Sequence, residues 1–196
     1  MTELLPSELA WYVTGRFYAT ATATVSIADY GYFLHLAGIV APLFNGPVAE
    51  MSAHFMFAAK PFVAVGVSNG ALSLSLDPVG EFSVFLQRMP AANFDDPASF
   101  SRGERIATFR RVTMVVGTTV DTGTTQLQGL ISSNVFSARL IDSVPFEFGG
   151  VRYDLRQILG AGITQFGTAA TAAINPPLAG YSAVVPFTGL AIKLGG

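Results

Sequence analysis

The chain has 196 residues, a formal charge of −2, 51% apolar residues and only 12% charged ones. That balance excludes a disordered chain, which needs low hydropathy and high charge. It also excludes a nucleic-acid module, which needs a Lys/Arg surplus for phosphate contacts. With no cysteine there is no disulfide framework, thiol nucleophile or Cys-zinc site.

The length fits one domain, 1–196. Few charges remain to cover a free surface. The apolar excess therefore points to an apolar interior, a homo-oligomer or lipid. Residues 30–49 carry no charge but are broken by Gly31, Gly38, Pro42, Asn45, Gly46 and Pro47, and the strongly apolar part, Phe33–Phe44, is too short to span. Residues 157–192, also uncharged, are rich in Gly, Thr and Ala around Pro176–Pro177 and read as strands and turns. The opening MTELLPSELA has neither a basic n-region nor a long apolar h-region. The expectation is a cytoplasmic protein without integral membrane insertion.

Taken in chain order, SELAWYV (7–13) starts like a helix. RFYATATATVSI (16–27) alternates strictly: Phe17, Ala19, Ala21, Ala23, Val25 and Ile27 share one face and Arg16, Tyr18, Thr20, Thr22, Thr24 and Ser26 the other. This is the period of a strand with one buried face. VAEMSAHFMFAAKPF also alternates and reads as a strand. Leu72, Leu74 and Leu76 repeat the pattern, as do Phe82, Val84 and Leu86.

PAANFDDPASFSRGE (90–104) reads as a polar surface loop, and IATFRRVTMVVGTTV (106–120) as a long β-branched strand. LQGLISSNVFSARLI (127–141) places Leu127, Ile131, Val135 and Ile141 on one face. SVPFEFGGVRYDL (143–155) predicts a hairpin turning at Gly149–Gly150. LRQILGAGI (155–163) predicts a short helical turn, and Pro186 in GYSAVVPFTGLAIKL (180–194) predicts an edge or a bulge. Turns are also expected at Asn69–Gly70, Asp77–Pro78 and Asp121–Gly123.

The fold class is therefore all-β: a single antiparallel β-barrel of about 8–10 strands with little helix, the alternative being a two-layer β-sandwich. AWYVTGRFYAT (10–20), through Trp11, Tyr12 and Arg16–Phe17, resembles the first strand of lipocalins, where Gly-x-Trp opens the barrel. Leu9 stands at the glycine position, and the resemblance covers about a dozen residues. It implies a small barrel.

Candidate chemistry is sparse. His35 and His54 are the two histidines, H-E-x-x-H is absent, and no spacing demands a metal. The Rossmann, P-loop and Gly-x-Ser-x-Gly patterns are missing, so no cofactor is expected. In an extended segment Glu50, Ser52, His54 and Met56 share a face. Glu50 and His54 then form either a mutually satisfied polar pair or an acid–base pair.

Tyr30, Tyr32 and His35 cluster in IADYGYFLHLAG (27–38), with Asp29, Gly31, Phe33 and His35 on one face and Tyr30 and Tyr32 on the other. Such groups orient a carbonyl or move a proton inside an apolar cavity, or are core aromatics with hydroxyls at the rim. Arg110 and Arg111 are adjacent in a strand and point to opposite faces. The inward one needs a carboxylate, with Glu81 and Glu147 as candidates, or an anionic ligand head; Arg139 and Arg152 are similar.

The leading functional expectation is binding of a small apolar molecule in the barrel cavity by a homo-oligomer. One alternative is a cofactor-free isomerase or cyclase using Tyr30, Tyr32, His35, Glu50 and His54 as its catalytic residues. The other is a structural self-assembling subunit.

Overall fold

A computed structural model describes residues 4–22, 26–63, 65–69, 72–77, 80–112, 115–119 and 131–194; within 65–77, 115–119 and 131–132 it describes backbone alone. The strands are β1 (Leu9–Thr20), β2 (Ile27–Leu36), β3 (Phe55–Ala59), β4 (Val65–Asn69), β5 (Leu72–Asp77), β6 (Glu81–Leu86), β7 (Glu104–Arg111) and β8 (Val115–Thr119). They continue with β9 (Ile131–Ser143), β10 (Phe146–Phe148), β11 (Val151–Tyr153), β12 (Gly162–Ala169) and β13 (Tyr181–Lys193). The one α-helix among the described residues is α1 (Leu155–Leu159).

Eight strands close an antiparallel barrel in the order β1-β2-β3-β6-β7-β9-β12-β13, with β13 returning to β1. Taken without the inserted β4, β5 and β8, the barrel strands follow one another around the wall in chain order. Closure removes the unpaired edges that so few charges would be left to protect. The hairpin β4–β5 lies between β3 and β6 in the chain, and β8 extends along β9 beyond β7, so that β8, β5 and β4 prolong the sheet outward. Asn69 pairs with Leu72, as the Asn69–Gly70 signal requires. Gly70, Pro78, residues 121–123 and Leu127 lie outside the described residues, as do the side chains of Leu72, Leu74, Leu76 and Ile131.

Period-two alternation decides which side chains enter the barrel. Trp11, Val13, Phe17 and Ala19 from β1 join Phe33 from β2, Phe55 and Phe57 from β3, and Phe82, Val84 and Leu86 from β6 in one buried core. The helix α1 closes the end where β1 begins. Its Leu155, Ile158 and Leu159 are fully buried, Leu4 N donates to Ile158 O (3.2 Å), and Asp154 caps it by accepting from Arg156 N (2.8 Å). Gly149 and Gly150 have φ of 58° and 77°, the pair of positive values that turns a tight hairpin from β10 to β11.

Several sequence expectations are corrected. Residues 7–13 do not start a helix, because β1 begins at Leu9. The run 16–27 is not one strand: β1 ends at Thr20, and Thr20 N donates to Ser26 O across a reversal. Alternating Ala and Thr satisfy strand periodicity whether or not the chain turns. In β9 the inward residues are Asn134, Phe136, Ala138 and Leu140, while Val135 and Ile141 face outward. The apolar residues 135 and 141 share the outward parity, and β9 carries fewer apolar residues inward than its sequence suggests.

Residues 90–101 are not simply a surface loop. Ala92, Phe94, Ser99 and Phe100 are buried against the outside of the barrel. Pro186 sits in a strand paired on both sides, but at the point where β12 ends: its carbonyl accepts from Ala170 N (2.8 Å), and the missing N–H falls just past the β12 ladder.

Candidate functional site

The barrel encloses a cavity that offers about 50 Å³ to the centres of water-sized molecules, where a single water needs about 10–15 Å³. Its walls are mostly aromatic: Trp11, Phe33, Phe57, Phe82, Phe136 and Phe187 among others. Trp11 meets Phe33 and Phe109 edge-on, each with ring centroids 5.5 Å apart, contacts worth about 0.5–1.5 kcal/mol beyond their area.

Four polar side chains line the same cavity: Asp29, Arg111, Asn134 and Gln165, all buried. Each lies at an inward parity position of its strand. Asp29 precedes Gly31 and Phe33 on β2, Arg111 follows Phe109 on β7, Asn134 precedes Phe136 on β9, and Gln165 sits between Ile163 and Gly167 on β12. Arg111 Nη2 donates to Asp29 Oδ1 at 3.3 Å. The guanidinium lies 4.8 Å from the Phe136 ring centroid and 5.3 Å from that of Phe62, within cation–π range. Burial pushes the Asp29 carboxyl above the usual carboxylate range, and the charge of Arg111 opposes that shift without cancelling it.

The amides are positioned by glycines. Gln165 Oε1 accepts from Trp11 Nε1 at 2.8 Å, and its amide lies against Gly189, where a Cβ would collide with it and with the Phe166 carbonyl. A Cβ on Gly167 would stand 3.0 Å from the Asn134 amide. Phe187 and Phe57 lie in the same way over Gly15 and Gly31. A side chain at any of these four glycines would have to displace the ring or amide beside it.

The residues singled out in the sequence sit elsewhere. None of Tyr30, Tyr32, His35, Glu50 and His54 lines the cavity. Tyr30 and Tyr32 face outward from β2 beneath the 90–101 segment, joined there by Tyr18, Phe94 and Phe100. Burial raises both hydroxyls; the next contributions are Tyr181 for Tyr30 and the Glu50 carboxylate for Tyr32.

His35 is exposed, its ring tilted beside that of Tyr12 (6.4 Å), because a bulge between β1 and β2 breaks the alternation after Phe33. Residues 45–54 form turns and bends, not the expected strand, so Glu50 and His54 do not share a strand face. His54 Nδ1 pairs with Gln87 O (2.8 Å), its ring meets Phe148 (5.1 Å), and Ser52 bonds to Ala49 O (3.0 Å). Among the described residues no hydrogen bond joins Glu50 to His54, and no group of three His, Asp or Glu is placed to hold a metal.

The arginine pair splits as adjacent strand residues must. Arg110 faces out and binds Glu81 (2.8 Å); Arg111 faces in and binds Asp29, not Glu81 or Glu147. Arg139 and Arg152 are exposed. The sequence analysis missed Asp29, Asn134, Gln165 and Trp11 as cavity residues. The available signal was polarity at inward parity: a charged or amide side chain in step with Phe33, Phe136 or Ile163.

Fold and site together define an antiparallel up-and-down barrel with a polar-dotted apolar cavity. The chain matches no family model, and comparison with curated proteins and with solved structures gave no match. No helix among the described residues is long and apolar enough to cross a membrane.

Proposed function

We propose that the barrel binds a small hydrophobic molecule in its interior cavity. The observation that carries this reading is an aromatic-walled space into which four buried polar groups, Asp29, Arg111, Asn134 and Gln165, converge. Apolar walls supply affinity by burial, and a few fixed polar groups supply orientation. Trp11 is the single tryptophan of the chain and lines the cavity, so its fluorescence reports occupancy. Native mass spectrometry of the purified protein should reveal a bound small molecule that solvent extraction removes, with a matching change in Trp11 emission. If there is no adduct, and no Trp11 response across a panel of small apolar compounds, the reading is wrong.

A cofactor-free isomerase or cyclase on this scaffold is the second reading, and Asp29 favours it. A carboxyl whose hold on its proton burial strengthens, set beside an apolar substrate, suits proton transfer. Turnover lost in Asp29→Asn with ligand binding retained separates this reading from simple binding. The structural-subunit reading expects a filled interior, and the cavity weighs against it.

Self-association is part of the proposal. One outward row crosses four neighbouring strands, with Val135 opposite Phe166, Phe166 opposite Leu190, and Leu190 opposite Tyr12. Val135, Phe166 and Tyr12 are 40–44% exposed, which leaves a cross-strand apolar ribbon for a second copy to cover. A monodisperse monomer in sedimentation at high concentration removes this part. The cytoplasmic placement is likewise a proposal, resting on composition.

A further inference from the structure

We propose that the cavity's ligand is a small carboxylic acid with an apolar body of about one ring, its carboxylate seated on Arg111 while Asp29 takes up a proton from solvent. This rests on the ligand-binding reading above and assigns that ligand a chemical class.

Arg111 and Asp29 are the only charged side chains among the described residues lining the cavity. Their contact, at 3.3 Å, is longer than the about 2.7–2.9 Å of a tight charge-assisted bond. A ligand carboxylate would take the place of the Asp29 carboxylate on this guanidinium. A guanidinium presents a planar fork that matches two carboxylate oxygens, and an alcohol or ketone cannot use both tines. Phe62 and Phe136 flank the guanidinium and give an apolar body ring faces to pack against. The space, about 50 Å³ for water-sized centres, amounts to three to five water positions by the same measure, enough for one ring and not for a long chain.

Charge balance then fixes the proton. Two carboxylates beside one arginine leave a buried net negative charge, which the interior disfavours strongly. Burial already raises the Asp29 carboxyl, so Asp29 is the group that yields its charge. The remaining lining residues, from β1, β2, β3, β6, β9, β12 and β13 and the segment after β3, are Trp, Val, Phe, Asn, Gln and Gly, none of which titrates. Among the described residues Tyr30, next to Asp29 on the outer face of β2, senses the Asp29 charge, and burial keeps its hydroxyl protonated.

The test titrates Trp11 fluorescence with benzoate, 3-phenylpropanoate and hexanoate and with the alcohol matched to each, from pH 5 to pH 9. At least one acid should bind about tenfold or more tightly than its alcohol, a difference of ~1.4 kcal/mol. Its affinity should fall with rising pH, by up to about tenfold per unit once Asp29 is ionised in the free protein, while the alcohol shows no slope. Asp29→Asn should bind the acid more tightly and lose the slope. Arg111→Met, measured at pH 5, should lose the preference for acid and keep the alcohol.

Alcohols that bind as well as acids, or an acid affinity independent of pH, overturn the carboxylate assignment and leave the apolar-ligand reading standing. If no acid or alcohol in the series binds, both fall. Should either variant fail to fold, the wild-type slope and the acid-to-alcohol ratio decide the matter alone.

Discussion

Two aromatic clusters lie on opposite faces of β1 and β2. The inner one holds Trp11, Phe17, Phe33, Phe57 and Phe187; the outer holds Tyr18, Tyr30, Tyr32, Phe94 and Phe100. Both are built from large rings, yet they end in different states. On the outside, the 90–101 segment folds down and fills the space. Phe94 and Phe100 stand 4.9 Å apart, Tyr18 lies 5.0 Å from Tyr181, and the Tyr18 hydroxyl donates to Phe94 O at 2.7 Å. Gln87 Nε2 ties the segment further by donating to Ser99 O (2.7 Å).

On the inside, Gly15, Gly31, Gly167 and Gly189 leave room for the rings and amides beside them, and a cavity remains. Aromatic content alone therefore does not mark a binding site. What sets the cavity apart is aromatic content with glycine opposite and charge at inward parity.

The largest expected effects come from one deletion in each cluster. Phe100 is fully buried, and Phe100→Ala should cost about 3–5 kcal/mol in urea unfolding while leaving Trp11 emission and ligand affinity unchanged. Arg111→Met should cost a similar about 3–5 kcal/mol at pH 7, because Asp29 loses its counter-charge in the cavity.

Only the second loss should depend on pH. The Asp29 carboxyl is raised above its ordinary value of 3.8, so its contribution to stability is complete below that pH and is lost as pH rises through the folded-state value. Removing Arg111 raises the carboxyl further and widens the window in which folding must hold a proton. The cost of Arg111→Met should shrink towards pH 4, and Asp29→Asn should flatten the wild-type profile. A pH-independent cost for Arg111→Met would show that solvent, and not Arg111, carries the Asp29 charge.

Next in size is Gly189→Ala. Overpacking of this kind costs about 1–3 kcal/mol, and here the new methyl must displace Gln165 or push against the Phe166 carbonyl. The Trp11–Gln165 bond should break with it, visible as a shift of indole emission and a loss of ligand affinity. A mild variant with unchanged Trp11 emission would separate the amide from the wall and remove the role given to the glycines.

The barrel was legible in the sequence because its cause is local. Alternation such as Phe82, Val84, Leu86 fixes both strand and face wherever one side is buried. The Gly149–Gly150 hairpin was legible because positive φ has a small residue vocabulary. The site was less so. Parity placed Asp29 on the Phe33 face and set Arg111 opposite Arg110, but 82 residues separate the two partners, and only barrel closure brings them together.

His35 illustrates the opposite failure: one bulge at Tyr12–Val13 moves it from the predicted inner face to the surface. The turn-forming character of 45–54 was masked by an accidental alternation in AEMSAHFM. The burial of Phe94 and Phe100 was masked by the Asp, Ser and Pro around them.

The smallest effect discriminates most finely between the two faces. Tyr18 points outward, is 1% exposed, and its hydroxyl donates to Phe94 O. Tyr18→Phe keeps the ring among Tyr30 and Tyr181 and removes one oxygen. The loss should be about 1 kcal/mol, the net worth of one intramolecular hydrogen bond, with the Phe94 carbonyl left short of a donor.

Burial raises this hydroxyl's pKa, with Arg16 opposing, so the phenol is neutral across the accessible range and the cost should not vary with pH. Ligand affinity should be unaffected, because β1 stands between the hydroxyl and the cavity. Urea unfolding at pH 5 and pH 8, beside a Trp11 binding titration, reads all three quantities. A change in affinity without a change in stability would mean that the outer cluster reports on the inner one, and that the two faces of β1 are coupled, not independent.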